Sequence, residues 1–196
     1  MARKTDPKNF ERVLDTAAEL FLSEGYDAAT MQQLADRLGL HKSSLYHYVD
    51  SKEKLLEHLT NHAQETAEAD LAAAELDPAG GYLLAMSRAI EQSLSDRGSV
   101  SLVLRQKPGT PTGEAVLARR RAYDQRLSQL IERSQRLGAI RDDIHPMLLA
   151  RLTLGLVAWL VEWYDPERTR FKPEEIRDAA LAVLAHGVIP SQSERS

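Results

Sequence analysis

The chain has 196 residues, a hydrophobic content of 43% and a formal net charge of −4. These values suit one or two folded domains and give no overall support for binding nucleic acid by net charge. The absence of cysteine excludes disulfides, thiolate metal sites and cysteine nucleophiles.

The N-terminus is basic but lacks the apolar run of a secretory signal. The most apolar stretch, 147–161, contains Arg151 and is shorter than the roughly 20 residues of a membrane span. We therefore expect a cytoplasmic protein without membrane association.

The first two predicted helices are marked by clear end signals. Apolar residues recur at helical spacing over 10–21, and Gly25 ends that helix. Thr30 begins the second helix and forms a capping box with Gln33, whereas Gly39 ends it in a left-handed turn.

A short polar segment, 41–47, follows the second helix, and Asp50 or Ser51 then caps a long one. Breaks at Asp77-Pro78 and Gly80-Gly81 end that helix. The remaining helices are predicted at 81–97, 99–106, 113–137, 145–164 and 173–187. No strand pattern or internal repeat is present, so the predicted fold class is all-α with about nine helices.

The short segment and the helix before it have the layout of a helix-turn-helix, whose second helix lies in the DNA major groove. Leu40, Leu45 and Val49 are its apolar positions and are expected to pack inward. The side chains left on the outer face suit phosphates and base edges, and they are Lys42, Ser43, Tyr46 and His47.

Local charge supports this prediction although overall charge does not. Residues 1–56 contain eight Lys and Arg against nine Asp and Glu, but no acidic residue lies between His41 and Val49. Thr30 and Lys52 each begin a helix, where N–H groups without helical partners favour a phosphate. A polar surface helix with no role in DNA binding would have the same pattern, so this geometry leaves that alternative open.

The stretch "AAELFLSEGYDAATMQQLADRLGLHKSSLYHYVDSKEKLLEHL" resembles the N-terminal domain of the TetR family of transcriptional repressors over residues 10–59. The shared motifs are the end of the first helix, the Thr of the second, "LYHYV" in the short segment and "SKEKL" after it. The resemblance implies a three-helix DNA-binding head on a larger helical body that dimerises and binds an effector. The domains expected are 1–50 for DNA binding, 51–190 for ligand binding and dimerisation, and a polar tail over 191–196.

By this resemblance the protein is a dimeric repressor that binds a palindromic DNA operator, needs no cofactor and is released by a small-molecule effector. The DNA-contacting residues it implies are Thr30, Lys42, Ser43, Ser44, Tyr46, His47 and Lys52. His41, Ser43 and Val49 depart from the residues common in the family. The operator sequence therefore does not follow from the resemblance.

Two C-terminal helices have the composition of a dimer interface. The helix around 147–164 is apolar on most of its circumference, which indicates burial on more than one side, and the last helix is rich in small residues. Two such helices from each chain would form a four-helix interface, although packing within one core explains the same pattern. The interface residues expected are Leu152, Leu160, Ala180, Val183 and Leu184.

An apolar effector pocket is expected in the body of the protein. Arg120 falls near the centre of an apolar stripe and needs an anionic partner, either Glu162 or Asp96 or a group on the effector. The segment "AWLVEWYDPERTRFKPEEI" resembles repressors of fatty-acid or steroid catabolism, which implies an acyl-CoA thioester as effector class. The expected pocket residues are Met86, Ile90, Arg120, Tyr123, Leu130, Leu156 and Trp159.

Other classes of function receive less support. The glycine loops, nucleophile elbow and zinc-binding motif of common enzyme classes are missing. His58 and His62 have metal-ligand spacing but no third ligand nearby, so no metal is expected, although a metal-binding helical bundle stays as an alternative. A DNA-binding architectural or division-control protein without an effector is the second alternative.

Overall fold

The computed structural model describes residues 7–188, and within that range helices are joined by turns without any strand. The described helices are α1 Pro7–Glu24, α2 Met31–Leu38, α3 Lys42–Leu45, α4 Lys52–Ala74, α5 Gly81–Ser95, α6 Arg97–Arg105, α7 Pro111–Arg136, α8 Pro146–Trp163 and α9 Pro173–Val188. The predicted all-α class with about nine helices is confirmed. The predicted tail, 191–196, lies outside the described residues.

The ends of α2 follow the predicted capping signals. The Thr30 hydroxyl accepts from the Gln33 amide at 3.2 Å, and the Thr30 amide donates to Gln33 Oε1 at 2.8 Å. Gly39 lies in the left-handed region with φ 68°, and its N–H donates to the Asp36 carbonyl at 3.1 Å. This closure satisfies the carbonyls at the end of the helix and turns the chain into α3.

The chain forms two compact units, Met1–Ala63 with Gly98–Val116, and Gln64–Arg97 with Leu117–Ser196. In the first unit, apolar residues of α1 and α2 pack with those of α3 and the start of α4. Leu45, the one large aliphatic residue of α3, is fully buried in this core. Burying such a side chain stabilises the fold by roughly 1.5–3 kcal/mol and fixes the orientation of α3.

The second unit has its core where α5 packs against α8 and α9, with α7 contributing to the same cluster. Its start depends on a close backbone approach, because a Cβ at Gly81 would lie 2.0 Å from the Ala74 carbonyl oxygen. Only glycine fits there without moving the end of α4 away from α5.

Two paired arginines join α7 to the C-terminal part of α4. Arg119 donates to both carboxylate oxygens of Glu68 at 2.8 and 2.9 Å. Arg126 binds Glu75 in the same way at 3.1 and 2.8 Å. Arg119 and Arg126 lie seven positions apart on α7, and Glu75, directly after the last residue of α4, lies seven positions from Glu68, so the two pairs stand about two turns apart. We call this pair of interactions the α4–α7 ladder.

The α4–α7 ladder predicts a pH-dependent stability. Hydrogen bonds from the arginines, opposed by burial, hold the pKa of Glu68 and of Glu75 below the ordinary value of 4.5. The stabilisation is therefore present above about pH 4.5 and is lost as the pH falls through the lowered values. We expect Glu68→Gln with Glu75→Gln to lower the free energy of unfolding by about 1 kcal/mol at neutral pH, because partly exposed pairs contribute little each.

Urea unfolding between pH 3 and pH 7 measures this difference. The variant and the parent protein should converge at the acid end of the range. Glu167→Gln, on an exposed turn, is the control and should follow the parent curve throughout. Parallel curves for the double variant and the parent protein would show that the ladder does not contribute in this way.

Helix α8 alone among the described helices is long and apolar enough, by length and composition, to cross a membrane. The apolar run 147–161 alone is shorter than a membrane span, and the helix that contains it has 18 residues. A single such helix is weak evidence, because a buried core helix has the same length and composition. Here Leu149, Val157 and Val161 are buried within the second unit, but only 33% of the 18-residue helix is buried.

Candidate functional site

Helix α3 presents a polar face on a buried apolar anchor. Regular helix ends at Leu45, and the next three residues form turns, so α3 is shorter than the polar segment 41–47. Leu45 and Val49 point into the core of the first unit. The exposed side chains around α3 are Lys42, Ser43, Tyr46 and His47.

The outer face of α3 carries cationic and hydrogen-bonding groups without a carboxylate over 41–49. Tyr46 has 43% of its surface exposed although it is aromatic. Ser44 is half-buried, and Thr30 is exposed with its hydroxyl in the capping box of α2. Such a face can neutralise phosphates and bond to base edges without repelling the DNA backbone.

Lys52 has a different environment from the other expected DNA-contacting residues. Its ammonium donates to the carbonyls of Tyr26, Asp27 and Ala29 at 2.7, 3.2 and 2.9 Å. It also lies 4.4 Å above the Tyr26 ring. An ammonium has three donors, and all three are used here. The side chain therefore holds the loop between α1 and α2, which leaves the backbone at the start of α4 as its only route to a phosphate.

This geometry gives an expected result for Lys52→Ala. Loss of three charge-assisted hydrogen bonds to the loop should lower the free energy of unfolding by about 2 kcal/mol. The salt dependence of DNA affinity should stay unchanged, since no phosphate contact of the ammonium is removed. Urea unfolding and fluorescence anisotropy on duplex DNA measure the two effects.

The matched control is Lys54→Ala, whose ammonium pairs with Glu57 on the surface of α4. It should change stability far less than Lys52→Ala. A salt slope reduced by about one for Lys52→Ala, with unchanged stability, would instead show a phosphate contact.

Most of the expected effector-contacting residues lie in one cluster of the second unit. Met86, Ile90 and Leu130 are fully buried there, and Tyr123 and Leu156 are partly buried against it. Burial, followed by the charge of a nearby carboxylate, raises the pKa of Tyr123 to about 12 and keeps the phenol neutral. These side chains can form an apolar binding site.

Arg120 and Trp159 lie differently from the other expected pocket residues. Trp159 is 65% exposed and is outside the buried cluster, so the pocket assignment does not fit its position. Arg120 is half-buried. Burial raises the pKa of Asp124, one turn further along α7, and the charges of Arg120 and Arg151 offset part of that rise.

The expected interface residues separate into two groups. Leu152 and Val183 are 59% and 63% exposed, and Ala180 is half-buried. Leu160 and Leu184, at 5% exposed each, belong to the core of the second unit. Both side chains therefore point into the core of the second unit.

An exposed apolar stripe on α8 extends beyond the residues that were expected at the interface. Its members lie at spacings of three and four residues, which places them on one face of the helix. They are Leu148, Leu152, Gly155, Trp159 and Trp163. The same spacing can be found in the sequence, but the buried apolar residues of α8 recur just as regularly, so the sequence does not show which set is exposed.

No group of three or more His, Asp and Glu side chains within residues 7–188 is arranged to hold a metal ion. His58, one of the two histidines at metal-ligand spacing, packs edge-on against Phe10 with ring centroids 5.3 Å apart. This contact gives the His58 ring a structural role in the first unit.

Two sequence models of known protein families match this chain. The sequence model of the family of bacterial regulatory proteins, tetR family, matches residues 13–59, which include α2, α3 and the start of α4. The tetracyclin repressor-like C-terminal domain matches residues 83–188. The chain belongs to the TetR family of bacterial regulatory proteins. It is therefore a helix-turn-helix transcriptional regulator and not an enzyme.

Individual relatives agree with this assignment over most of their length. The HTH-type transcriptional repressor KstR2 of Mycolicibacterium smegmatis is 23% identical over 191 residues, covering 94% of this chain and 93% of that protein. A TetR-family regulator from Streptomyces coelicolor A3 has a similar structure, with 30% identity, a TM-score of 0.77 and 88% of each chain covered. AibR, solved with isovaleryl coenzyme A and operator DNA, has 26% identity and a TM-score of 0.74, covering 89% of this chain and 96% of AibR.

Proposed function

We propose that the protein is a homodimeric repressor that binds a two-fold symmetric operator through α2 and α3 and leaves it when a small molecule binds. The observation that carries the proposal is the exposed, carboxylate-free face of α3 on the buried anchor Leu45. Contacts of Lys42, Ser43, Tyr46 and His47 would supply phosphate binding and base readout.

The dimer is supported by the exposed stripe on α8, together with Val183 on α9. A stripe containing two tryptophans and two leucines exposes more apolar surface than scattered surface residues normally do. A second copy of the same stripe would cover it symmetrically. Two recognition helices would then read half-sites about one DNA turn, roughly 34–36 Å, apart.

The effector class proposed is an acyl-CoA thioester or another apolar metabolite with an anionic group. The fully buried residues Met86, Ile90 and Leu130 supply apolar surroundings for its chain. The structural likeness to AibR, which was solved with an acyl-CoA and operator DNA, supports the same class.

Release from DNA would act through α4, because this helix begins in the first unit and ends in the second. Binding of the effector would shift α4 and change the separation of the two copies of α3. To do so, the effector must bind the non-binding arrangement more tightly than the DNA-binding one. In this proposal residues 1–50 bind DNA, 51–190 bind the effector and dimerise, and the protein acts in the cytoplasm, where its DNA lies.

Selection of bound sequences from a random duplex pool tests the proposal. A palindromic winner whose affinity falls steeply with salt would support a dimeric repressor. Release of that duplex by an acyl-CoA would support the effector class. Enrichment without any release by small molecules would favour an architectural DNA-binding protein. A pool without enrichment would contradict base readout by α3.

A further inference from the structure

The hydroxyl of Tyr82 is buried without a partner. Tyr82 lies in the first turn of α5 and is fully buried, and no described residue forms a hydrogen bond with its oxygen. Leaving a hydroxyl unpaired in a protein interior costs roughly 1–3 kcal/mol, so such groups are rare and call for a physical reason. Burial raises the pKa of Tyr82 to about 12, and the phenol therefore stays a neutral donor.

Tyr82 belongs to a buried apolar face of α5, and Thr153 of α8 lies near its hydroxyl. Tyr82, Met86 and Ile90 follow one another at four-residue spacing, so they line one face of α5, and all three are fully buried. The Thr153 hydroxyl on α8 lies close enough to lower the pKa of the phenol, as a hydrogen bond would, although the two groups do not have the geometry of one. The Thr153 hydroxyl uses its own proton to bond the Leu149 carbonyl at 2.9 Å.

We propose that the Tyr82 hydroxyl is the polar anchor of the effector site and donates a hydrogen bond to a neutral carbonyl oxygen of an apolar ligand lying between α5 and α8. This inference rests on the proposed function, because it names the atom that recognises the effector within the same core. It adds a recognition residue that the expected pocket set does not contain.

The chemistry of the cluster selects a neutral acceptor. A bound carboxylate would need a cation, and the buried polar residues of the described part of the chain include no lysine or arginine. A thioester, ketone or amide carbonyl instead needs one donor and apolar neighbours, which Tyr82, Met86 and Ile90 provide. Met86 has an unbranched, flexible side chain that can change rotamer to admit a ligand chain.

The test compares ligand binding by the full-length protein and by Tyr82→Phe, which removes only the hydroxyl. The probes are isovaleryl-, octanoyl- and palmitoyl-CoA, each with the matching S-alkyl-CoA that lacks the carbonyl. Calorimetry should show that Tyr82→Phe weakens binding of the preferred acyl-CoA about tenfold, as expected for one neutral hydrogen bond. The S-alkyl analogue should bind both proteins equally.

Tyr164→Phe is the matched control, because Tyr164 is a buried tyrosine of the same core whose oxygen is not among the fully buried atoms that lack a partner. It should leave the preference for the carbonyl unchanged. Without ligand, Tyr82→Phe should unfold at the same temperature as the parent protein or higher, since no internal hydrogen bond is lost.

Three results would overturn the inference. A clear fall in the unfolding temperature of ligand-free Tyr82→Phe would show that the hydroxyl already has a partner in the protein. Equal acyl-CoA affinity for the variant and the parent protein would show that the Tyr82 hydroxyl is not the anchor, without contradicting the proposed effector class. Failure of all three acyl-CoA probes to bind the parent protein would remove the effector class, and the anchor with it.

Discussion

Replacing Lys42 and Tyr46 together by alanine is expected to lower affinity for the selected operator about a hundredfold. Both side chains lie on the exposed face of α3, so their removal should leave the core of the first unit intact. Each contact to a base edge or phosphate contributes roughly 1–3 kcal/mol, and two together account for the expected loss. Fluorescence anisotropy at one fixed salt concentration measures the change.

Measuring operator affinity over a series of salt concentrations distinguishes the contribution of Lys42 from that of Tyr46. Losing the Lys42 ammonium should reduce the slope of log affinity against log salt by about one, whereas Tyr46→Ala alone should not change it. Lys172→Ala, which removes an exposed lysine of the other unit, is the control and should bind like the parent protein. Operator affinity within threefold of the parent value, with unchanged folding, would mean that α3 does not read the DNA.

The local signals in the sequence were sufficient to predict α2 and α3. Thr30 and Gln33 form the predicted capping box, and Gly39 has the predicted left-handed conformation. Leu45 and Val49 are buried as their positions in the pattern predict. These features involve residues within a few positions of one another, and such interactions are determined largely by local backbone geometry. The placement of α3 could therefore be predicted without knowledge of the tertiary structure.

Features that depend on distant residues could not be predicted in the same way. Lys52 binds carbonyls more than twenty positions away, and Arg119 binds Glu68 fifty-one positions away. A basic residue at the start of a helix, or within the run 119–121, has the same appearance in a sequence whether it meets solvent, DNA or a carboxylate. The partner is known only once the helices are packed.

Helix α8 shows a second limit of pattern analysis. Its apolar residues cover most of the circumference, so the sequence predicts burial on two sides without saying which residues face which side. The structure places Leu160 in the core and leaves Leu152 and Trp159 exposed. The exposed residues of α8 therefore define the surface that is available for an interface. Trp159, expected in the pocket, is exposed and lies on the stripe.

The exposed stripe supports a strong prediction for assembly. Leu152→Glu with Trp159→Glu should convert the proposed dimer into a monomer and lower operator affinity at least a thousandfold. Two carboxylates buried without partners in the interface would each cost several kcal/mol, and a monomer would hold only one half-site. Sedimentation velocity at micromolar concentration and anisotropy on the operator measure the two effects.

Leu76→Glu with Leu137→Glu, at exposed positions off the stripe, is the control and should stay dimeric. A double variant of the stripe that remained dimeric would place the interface elsewhere, whereas a monomer with full operator affinity would separate DNA binding from dimerisation.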